Sequence, residues 1–276
     1  MWFDITHMRA FYAKPLGQLV AQLLAAHLAT YWPRQIIADK AQPSHKIEPT
    51  TQTATPERIL GLGYALPFLD RLWPQAELFA FMPPRLGSIA WTNTVANTET
   101  NTGTAANISK GGNRTCLIDE AAFPLADNSV DRILLIHMLE FATEPEALFG
   151  EVWRVLAPGG RVLLVAPNRY GVWAHSQRTV WSGGNHFSKR QIRRLLVKAE
   201  FVSLNWQACF LAPPSALRLT MRHASYVERA GRRFAPALCG LLIVEATKQV
   251  YAPIGKPARA ASLASVLRPA QSTPMP

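Results

Sequence analysis

The chain has 276 residues, of which 49% are hydrophobic, and its formal net charge is +11 at pH 7. This apolar content can supply a sizeable core and excludes a chain that is disordered throughout. The three cysteines are far apart and form no Cys-x-x-Cys or Cys/His cluster. A structural zinc site is therefore not expected, and the free thiols indicate a cytoplasmic protein.

Residues 1–56 are predicted to form an extension with a helix at residues 3–33 and a polar loop after it. The apolar stretch within that helix is short, is broken by Gln18, Gln22 and His27, and has a proline at each end. It is too short and too polar for a transmembrane segment. The first nine residues lack the cationic start and apolar run of a signal peptide, so none is predicted.

A strand–helix–strand unit is predicted in the middle of the chain. Two unalternated apolar runs, at residues 133–136 and 162–165, are typical of strands buried on both faces of a parallel sheet. Between them Thr143 and Glu146 have capping-box spacing, and Pro145 suits the first turn of a helix. The sequence Ala-Pro-Gly-Gly at residues 157–160 is expected to end that helix and turn the chain into the next strand.

Three further strands are predicted before this unit: the first, with the turn after it, at residues 57–67, and the others at residues 77–81 and 115–118. Residues 92–115 are rich in Thr, Asn and Gly and are interpreted as a flexible insertion, because this composition cannot supply a core. Residues 251–276 are rich in proline and small residues and are interpreted as a disordered tail. The loop after residue 167 carries aromatic and basic residues, including Trp181, and suits a substrate lid.

Two segments carry a resemblance to a known family. FPLADNSVD at residues 123–131 and EVWRVLAPGGR at residues 151–161 resemble the second half of a class I S-adenosylmethionine-dependent methyltransferase, and most of all its type 11 methyltransferase-domain group. The resemblance extends over residues 57–246, apart from the insertion. It implies a Rossmann-like, doubly wound α/β domain at residues 57–250, with a mostly parallel sheet, flanking helices and antiparallel C-terminal strands. It also implies methyl transfer from S-adenosylmethionine to an acceptor that the sequence does not identify.

The turn after the first strand is predicted to bind the cofactor, since ligands of such folds lie at the carboxyl ends of the strands. This assigns Gly61, Leu62, Gly63 and Tyr64 to the cofactor site. Gly63 matches the first glycine of the family loop, where the missing Cβ lets the backbone approach a ligand. We expect Gly63→Val to abolish binding while leaving the domain folded.

The ends of the second and third strands are assigned to the same site. The family usually has an acidic residue at the end of the second strand, where it bonds the ribose hydroxyls, but this chain has Phe81 and Met82 there. An aspartate introduced at either position is expected to tighten binding. Asp119 and Glu120 resemble the family position near the adenine, with a solvated loop as the alternative.

His137 follows the fourth strand, where the family places the transferred methyl group. Because the unperturbed pKa of histidine is about 6.5, this residue type can act as a general base for an oxygen or nitrogen nucleophile. His137 is therefore assigned both to the cofactor site and to catalysis, with a pocket-lining role as the alternative. Glu140 either orients His137 or begins the next helix.

Other functions remain open. A catalytically degenerate member of the fold, acting as a binding or assembly module, is favoured by three features: the missing acid after the second strand, Gly61 where the family usually has an acidic residue, and Pro67 in the glycine-rich turn. The charge is also uneven, with 18 basic against 4 acidic residues from Glu151 onward, and 11 against 14 before it. A basic second half indicates an anionic acceptor or a nucleic acid partner such as RNA, or else a solvated basic face.

Overall fold

The computed structural model describes residues 3–32, 57–74, 76–89, 114–211 and 238–250. The predicted loop at residues 35–56 and the tail at residues 251–276 lie outside these residues. So does the insertion, apart from Arg114 and Thr115.

Seven strands form a single sheet in the described part of the chain. In chain order they are β1 (Arg58–Gly63), β2 (Glu77–Met82), β3 (Thr115–Leu117), β4 (Val130–Ile136), β5 (Leu156–Pro167), β6 (Phe201–Cys209) and β7 (Leu241–Lys248). Their order across the sheet is β3-β2-β1-β4-β5-β7-β6. Strands β1 to β5 pair in parallel, whereas β7 is antiparallel to both β5 and β6. The predicted doubly wound α/β fold with antiparallel C-terminal strands is confirmed.

Helices cover both faces of this sheet. They are α1 (Ile5–Ala13), α2 (Pro15–Tyr31), α3 (Leu66–Leu72), α4 (Pro145–Val155) and α5 (Lys189–Lys198). The first three pack on one face together with Trp173 and Trp181. The other two pack on the opposite face. No helix in the described ranges has the length and apolar character needed to cross a bilayer.

The single helix predicted at residues 3–33 is in fact two helices. Lys14 lies between α1 and α2 with an extended backbone (ψ 154°). Its neighbour explains this break, because the ring of Pro15 disfavours a helical conformation in the preceding residue. As a result α1 can take a direction different from that of α2.

The boundaries of α4 also differ from the prediction. The Thr143–Glu146 capping box is wrong, because the helix begins one residue later and its N-cap, Glu144, makes no side-chain capping bond. Glu120 satisfies this end instead, since its Oε2 accepts hydrogen bonds from the backbone N–H groups of Thr143 (2.7 Å) and Glu144 (3.2 Å). At the other end Leu156 already belongs to β5, so the Pro-Gly-Gly turn lies within that strand, where the pairing with β4 changes register.

Arg154 joins the two segments that resemble the family. Its guanidinium donates hydrogen bonds to the carboxylates of Glu151 (2.7 Å) and Asp127 (2.6 Å). It also donates to the backbone carbonyls of Leu125 (2.8 Å) and Phe123 (3.0 Å). These segments are therefore held against each other by one side chain, and their shared role is structural.

Candidate functional site

The carboxyl edge of the sheet brings two of the predicted site segments together. Gly63 pairs with Ile136, so His137 is the first residue beyond the β4 partner of Gly63. The backbone N–H of Tyr64 donates to the carbonyl of Ile136 at 2.7 Å. One strand further out, Met82 pairs with Leu117 at the end of β3, and Asp119 and Glu120 follow.

Gly63 is required by the protein itself. Its φ is +76°, and a Cβ there would lie 2.4 Å from the carbonyl oxygen of Ile136 and 2.7 Å from the carbonyl carbon of His137. These are backbone atoms in the middle of the sheet and cannot move aside cheaply. The expectation that Gly63→Val leaves the domain folded is therefore wrong.

Gly61 lies two residues before Gly63 in β1 and is also closely packed. A Cβ there would meet the side chains of Leu69 (2.6 Å) and Ala65 (2.8 Å). Leu62 is fully buried in the cluster on the opposite face. At both glycines of the turn that was predicted to bind the cofactor, the place of a Cβ is therefore closed by protein atoms.

Phe81 and Met82 end β2 as buried apolar residues, with exposed fractions of 6% and 0%. Phe81 packs edge-on against Phe123, with ring centroids 6.2 Å apart. Met82 belongs to the cluster on the opposite face of the sheet. An aspartate at either position would place a carboxylate in apolar packing, which costs stability. The structure offers no carboxylate at the end of β2.

A polar cleft of about 430 Å³ lies at the ends of β2 and β3. It is lined by Pro84, Arg85, Asp119, Glu120, Ala121, Thr143 and Glu144. The carboxylate of Glu120 is buried and is used by the start of α4. Asp119 is exposed, and its Oδ1 accepts a hydrogen bond from the backbone N–H of Ala121 at 3.0 Å. Asp119 thus adds an exposed carboxylate to the lining of the cleft.

His137 lies at the centre of a buried hydrogen-bonded group. Its side chain is fully buried, and its backbone is left-handed (φ 55°). The ring Nδ1 lies 2.9 Å from Oε1 of Glu140, and Nε2 lies 2.8 Å from the hydroxyl of Tyr12 on α1. A carboxylate accepts hydrogen bonds, so Nδ1 carries the proton and Nε2 accepts from Tyr12. Glu140 therefore orients His137, which was one of the two roles that the sequence left open for it.

Aromatic rings enclose this group on several sides. The indole of Trp181 lies against the imidazole with a centroid separation of 3.7 Å. Tyr12 stacks on Tyr64 at 5.4 Å and meets Phe68 edge-on at 6.1 Å. Burial, followed by the charge of Glu140, raises the pKa of Tyr12 well above its usual value, and burial raises the pKa of Tyr64. Both phenols are consequently protonated at neutral pH and can donate.

Three buried polar atoms near His137 have no hydrogen-bond partner within the described residues. They are Oε2 of Glu140, Nε1 of Trp181 and Nε2 of His186. Burial also lowers the pKa of His186. Buried polar atoms are nearly always paired, so these three atoms are exceptions within the described part of the chain.

Sequence reasoning did not identify Tyr12 as a site residue. Tyr12 and His137 are 125 residues apart in sequence, and the N-terminal extension carries no motif that would link them. Trp181 was found only as part of the loop interpreted as a lid. The sequence did place a tyrosine, with its polar hydroxyl, on the apolar face of α1. A tyrosine in that position is equally typical of an ordinary core, so it did not indicate a site.

Residues capable of holding a metal ion are not grouped in the described ranges, where no three His, Cys, Asp or Glu side chains converge. His137 offers hydrogen bonding and proton transfer, and the surrounding aromatic rings keep water away from it.

Comparisons with known proteins agree with this architecture. Residues 88–164 match the family model described as a methyltransferase domain. No curated protein matches the sequence.

Solved structures with the same general fold include a possible histamine N-methyltransferase from Thermotoga maritima, with 16% identity, a TM-score of 0.46, and coverage of 87% of this chain and 99% of that one. A methyltransferase from Archaeoglobus fulgidus has 12% identity and a TM-score of 0.48, with coverage of 83% and 94%. These likenesses are too distant to indicate a substrate. Residues 88–164 are thus similar to a methyltransferase domain, and they lie within a sheet of the order described above.

Proposed function

We propose that this protein transfers a methyl group from S-adenosylmethionine to an acceptor that loses a proton in the reaction. The observation that carries the proposal is the His137–Glu140 pair at the carboxyl end of β4, beside the Gly63–Tyr64 turn. A histidine whose Nδ1 proton is held by a carboxylate presents a basic Nε2, as a general base requires.

The cofactor site in this proposal consists of the predicted residues at the ends of four strands, and its two ends differ in how well they fit. At the nucleoside end the polar cleft beside Asp119 offers about 430 Å³ and an exposed carboxylate. At the methyl-donor end Tyr12 of α1 lies against both Tyr64 and His137, so the methyl group and its acceptor can meet beside His137 only after α1 moves. The predicted residues are Gly61, Leu62, Gly63, Tyr64, Phe81, Met82, Asp119, Glu120 and His137.

The bound cofactor supplies an activated methyl group, and the protein supplies the surroundings for its transfer. His137 Nε2 accepts the proton of the acceptor, while Glu140 holds the ring orientation and stabilises the imidazolium. Trp181, fully buried against the imidazole, excludes water from that nitrogen's surroundings. Keeping water out strengthens the Glu140–His137 interaction, because the local dielectric is low.

Calorimetric titration with S-adenosylmethionine tests this proposal directly. We expect saturable heat with the wild-type protein and about tenfold weaker binding for Asp119→Ala, since a hydrogen bond to a charged group is lost. Asp119→Asn is the matched control, because the amide oxygen can still accept from the backbone of Ala121. Absence of heat for the wild-type protein and for a variant in which α1 is loosened, such as Tyr12→Ala, would contradict the proposal.

A binding or assembly module without catalysis is the second candidate, and specific contacts favour it. The N–H of Tyr64 is already bonded to Ile136, both glycines of the turn are in contact with protein, and β2 ends without an acid. If this candidate is correct, neither S-adenosylmethionine nor its demethylated product gives heat with any of these variants.

A further inference from the structure

We propose that the place held by the Tyr12 side chain is the acceptor subsite, and that the acceptor is an aryl alcohol whose hydroxyl replaces that of Tyr12 on His137. This inference rests on the proposed methyl transfer, and it adds the chemical class of the acceptor. In the structure described here, α1 therefore occupies the subsite with a residue of this chain.

His137 can offer a single basic atom to an acceptor. Its Nδ1 is held by Glu140 at 2.9 Å, and its Nε2 accepts from Tyr12 at 2.8 Å. The imidazole face is covered by Trp181 at 3.7 Å. An acceptor that gives its proton to His137 must therefore take the position of the Tyr12 hydroxyl, since the other nitrogen and that face of the ring are occupied.

The space that Tyr12 occupies has the shape of a flat ring. The Tyr12 ring lies nearly parallel to Tyr64, with 22° between the planes, and nearly perpendicular to Phe68, with 88° between the planes. Stacked and edge-on contacts of this kind select a flat aromatic ring. Both partners belong to the β1–α3 region, so they stay in place when α1 moves and are available to another ring.

Tyr12 leaves two buried polar atoms beside His137 without a hydrogen-bond partner among the described residues. Glu140 Oε2 and Trp181 Nε1 are buried without a partner, although both residues contact His137 directly. Tyrosine has only one polar atom and uses it on His137. An aromatic ligand with a second polar substituent could form a hydrogen bond with one of these atoms, which Tyr12 cannot. This favours replacement of the Tyr12 side chain by such a ligand.

The acceptor can reach His137 only if α1 moves away from it. The extended Lys14 separates α1 from α2, and the start of α1 is fixed by one backbone bond from Ile5 to the carbonyl of Leu86 (2.7 Å) and by the exposed cap Asp4. We infer that α1 turns about Lys14 when the acceptor binds, a movement that also exposes the buried side chains of Ile5, Met8 and Phe11. The aryl ring of the acceptor then replaces the apolar contacts that Tyr12 gives up.

The transfer balances without an oxidant or a reductant. The acceptor oxygen forms a bond to the methyl carbon as its proton passes to Nε2 of His137, and the carbon–sulfur bond of the sulfonium breaks with its electron pair going to sulfur. The products are an aryl methyl ether and S-adenosylhomocysteine, and the imidazolium returns its proton to solvent.

The test uses p-cresol, which reproduces the tyrosine side chain, with toluene as the probe that lacks the hydroxyl. We expect p-cresol to bind Tyr12→Ala about tenfold more tightly than toluene does, because only p-cresol can donate to His137. The preference should disappear in Tyr12→Ala/His137→Asn, where asparagine tolerates the left-handed backbone of position 137. The wild-type protein should bind p-cresol about tenfold more weakly than Tyr12→Ala does, because Tyr12 competes for the place.

A second readout follows methyl transfer from isotopically labelled S-adenosylmethionine to p-cresol. Tyr12→Phe, which keeps the ring and removes the hydroxyl, should form more methyl ether than the wild-type protein, and this variant also serves if Tyr12→Ala does not fold. Equal affinity for p-cresol and toluene, or cofactor heat without any ether, would overturn the acceptor assignment and leave the proposed function standing. Failure of the cofactor to bind at all would remove both.

Discussion

Gly63 shows at the scale of one residue how strongly the backbone of this edge is constrained. Its φ is +76°, and the carbonyl oxygen of Ile136 would be only 2.4 Å from an added Cβ. We expect Gly63→Ala to lower the free energy of unfolding by about 3 kcal/mol or more, since left-handed strain and a backbone clash add. Urea unfolding monitored by tryptophan fluorescence measures this change.

Gly159 provides the matched control for that prediction. Its φ of +74° is nearly the same, but no atom lies within 4 Å of an added Cβ. Gly159→Ala should therefore cost only the backbone strain, about 1 kcal/mol. Equal losses for the two variants would show that the close approach of β4 to Gly63 is not what requires a glycine there.

The buried imidazole of His186 should make the stability of the protein depend on pH. Burial lowers its pKa below the usual 6.5, so the folded state favours the neutral ring. The unfolded chain then binds more protons between the lowered pKa and about 6.5, and stability falls as the pH is reduced through that window. We expect the wild-type protein to lose more stability than His186→Gln between about pH 8 and about pH 5.5, as measured by urea unfolding. Parallel curves for the two proteins would contradict this prediction.

The residues of the candidate site could be predicted only in part. His137 and the Gly61–Tyr64 turn were identified because strand ends in a parallel sheet meet at one edge, and the pairing of Gly63 with Ile136 brings them together. Tyr12 could not be identified, since its hydrogen bond to His137 depends on where an N-terminal helix packs. Sequence periodicity assigns the apolar face of a helix but does not say which part of the sheet it covers.

Arg154 is the clearest link at the scale of secondary-structure elements, because it joins α4 to the loop that precedes β4. Hydrogen bonds to the carboxylates of Glu151 and Asp127 raise the pKa of Arg154, and the Arg154 guanidinium in turn lowers the pKa of Glu151. We expect Arg154→Lys to lower the free energy of unfolding by about 1–2 kcal/mol, since an ammonium cannot reach both carboxylates and both carbonyls. Chemical denaturation measures the loss.

Arg161→Lys is the control for Arg154, because Arg161 is half exposed and makes one described ion pair, with Glu245 at 2.9 Å. A lysine there keeps the charge beside Glu245, so we expect a loss of no more than about 0.5 kcal/mol. If both substitutions cost the same, the contacts of Arg154 with the loop carbonyls contribute little.

The elements themselves were largely predictable, and the errors have local causes. The buried strands were identified because unalternated apolar runs suit a sheet covered on both faces. The break at Lys14 was missed because the apolar pattern continues across Pro15, and the α4 cap was missed because Glu120, a residue distant in sequence, satisfies its backbone. The basic face of α5, with lysine or arginine at five of its ten positions, stays compatible with the predicted anionic partner.

The whole molecule gives a last prediction, on the Thr, Asn and Gly-rich segment between β2 and β3. The described residues on its two sides are already joined, because the hydroxyl of Thr115 donates to the carbonyl of Ile89 at 2.7 Å. Shortening a connection whose ends are fixed in this way changes the closure entropy only slowly with length. We therefore expect replacement of residues 92–112 by a short Gly-Ser linker to leave the fold intact and the melting temperature within about 8 °C of the wild-type value.

Differential scanning calorimetry measures the effect, and a variant with residues 92–112 scrambled at constant length separates composition from length. The sheet order places β3 at an edge, where it pairs only with β2 among the described strands. Loss of the segment should consequently affect β3 first, and Thr115→Val in the shortened chain should lower the melting temperature further, because it removes the bond that joins the two ends. A fall of more than about 8 °C on shortening alone, roughly what the loss of 2 kcal/mol produces in a domain of this size, would show that the segment contributes packing of its own.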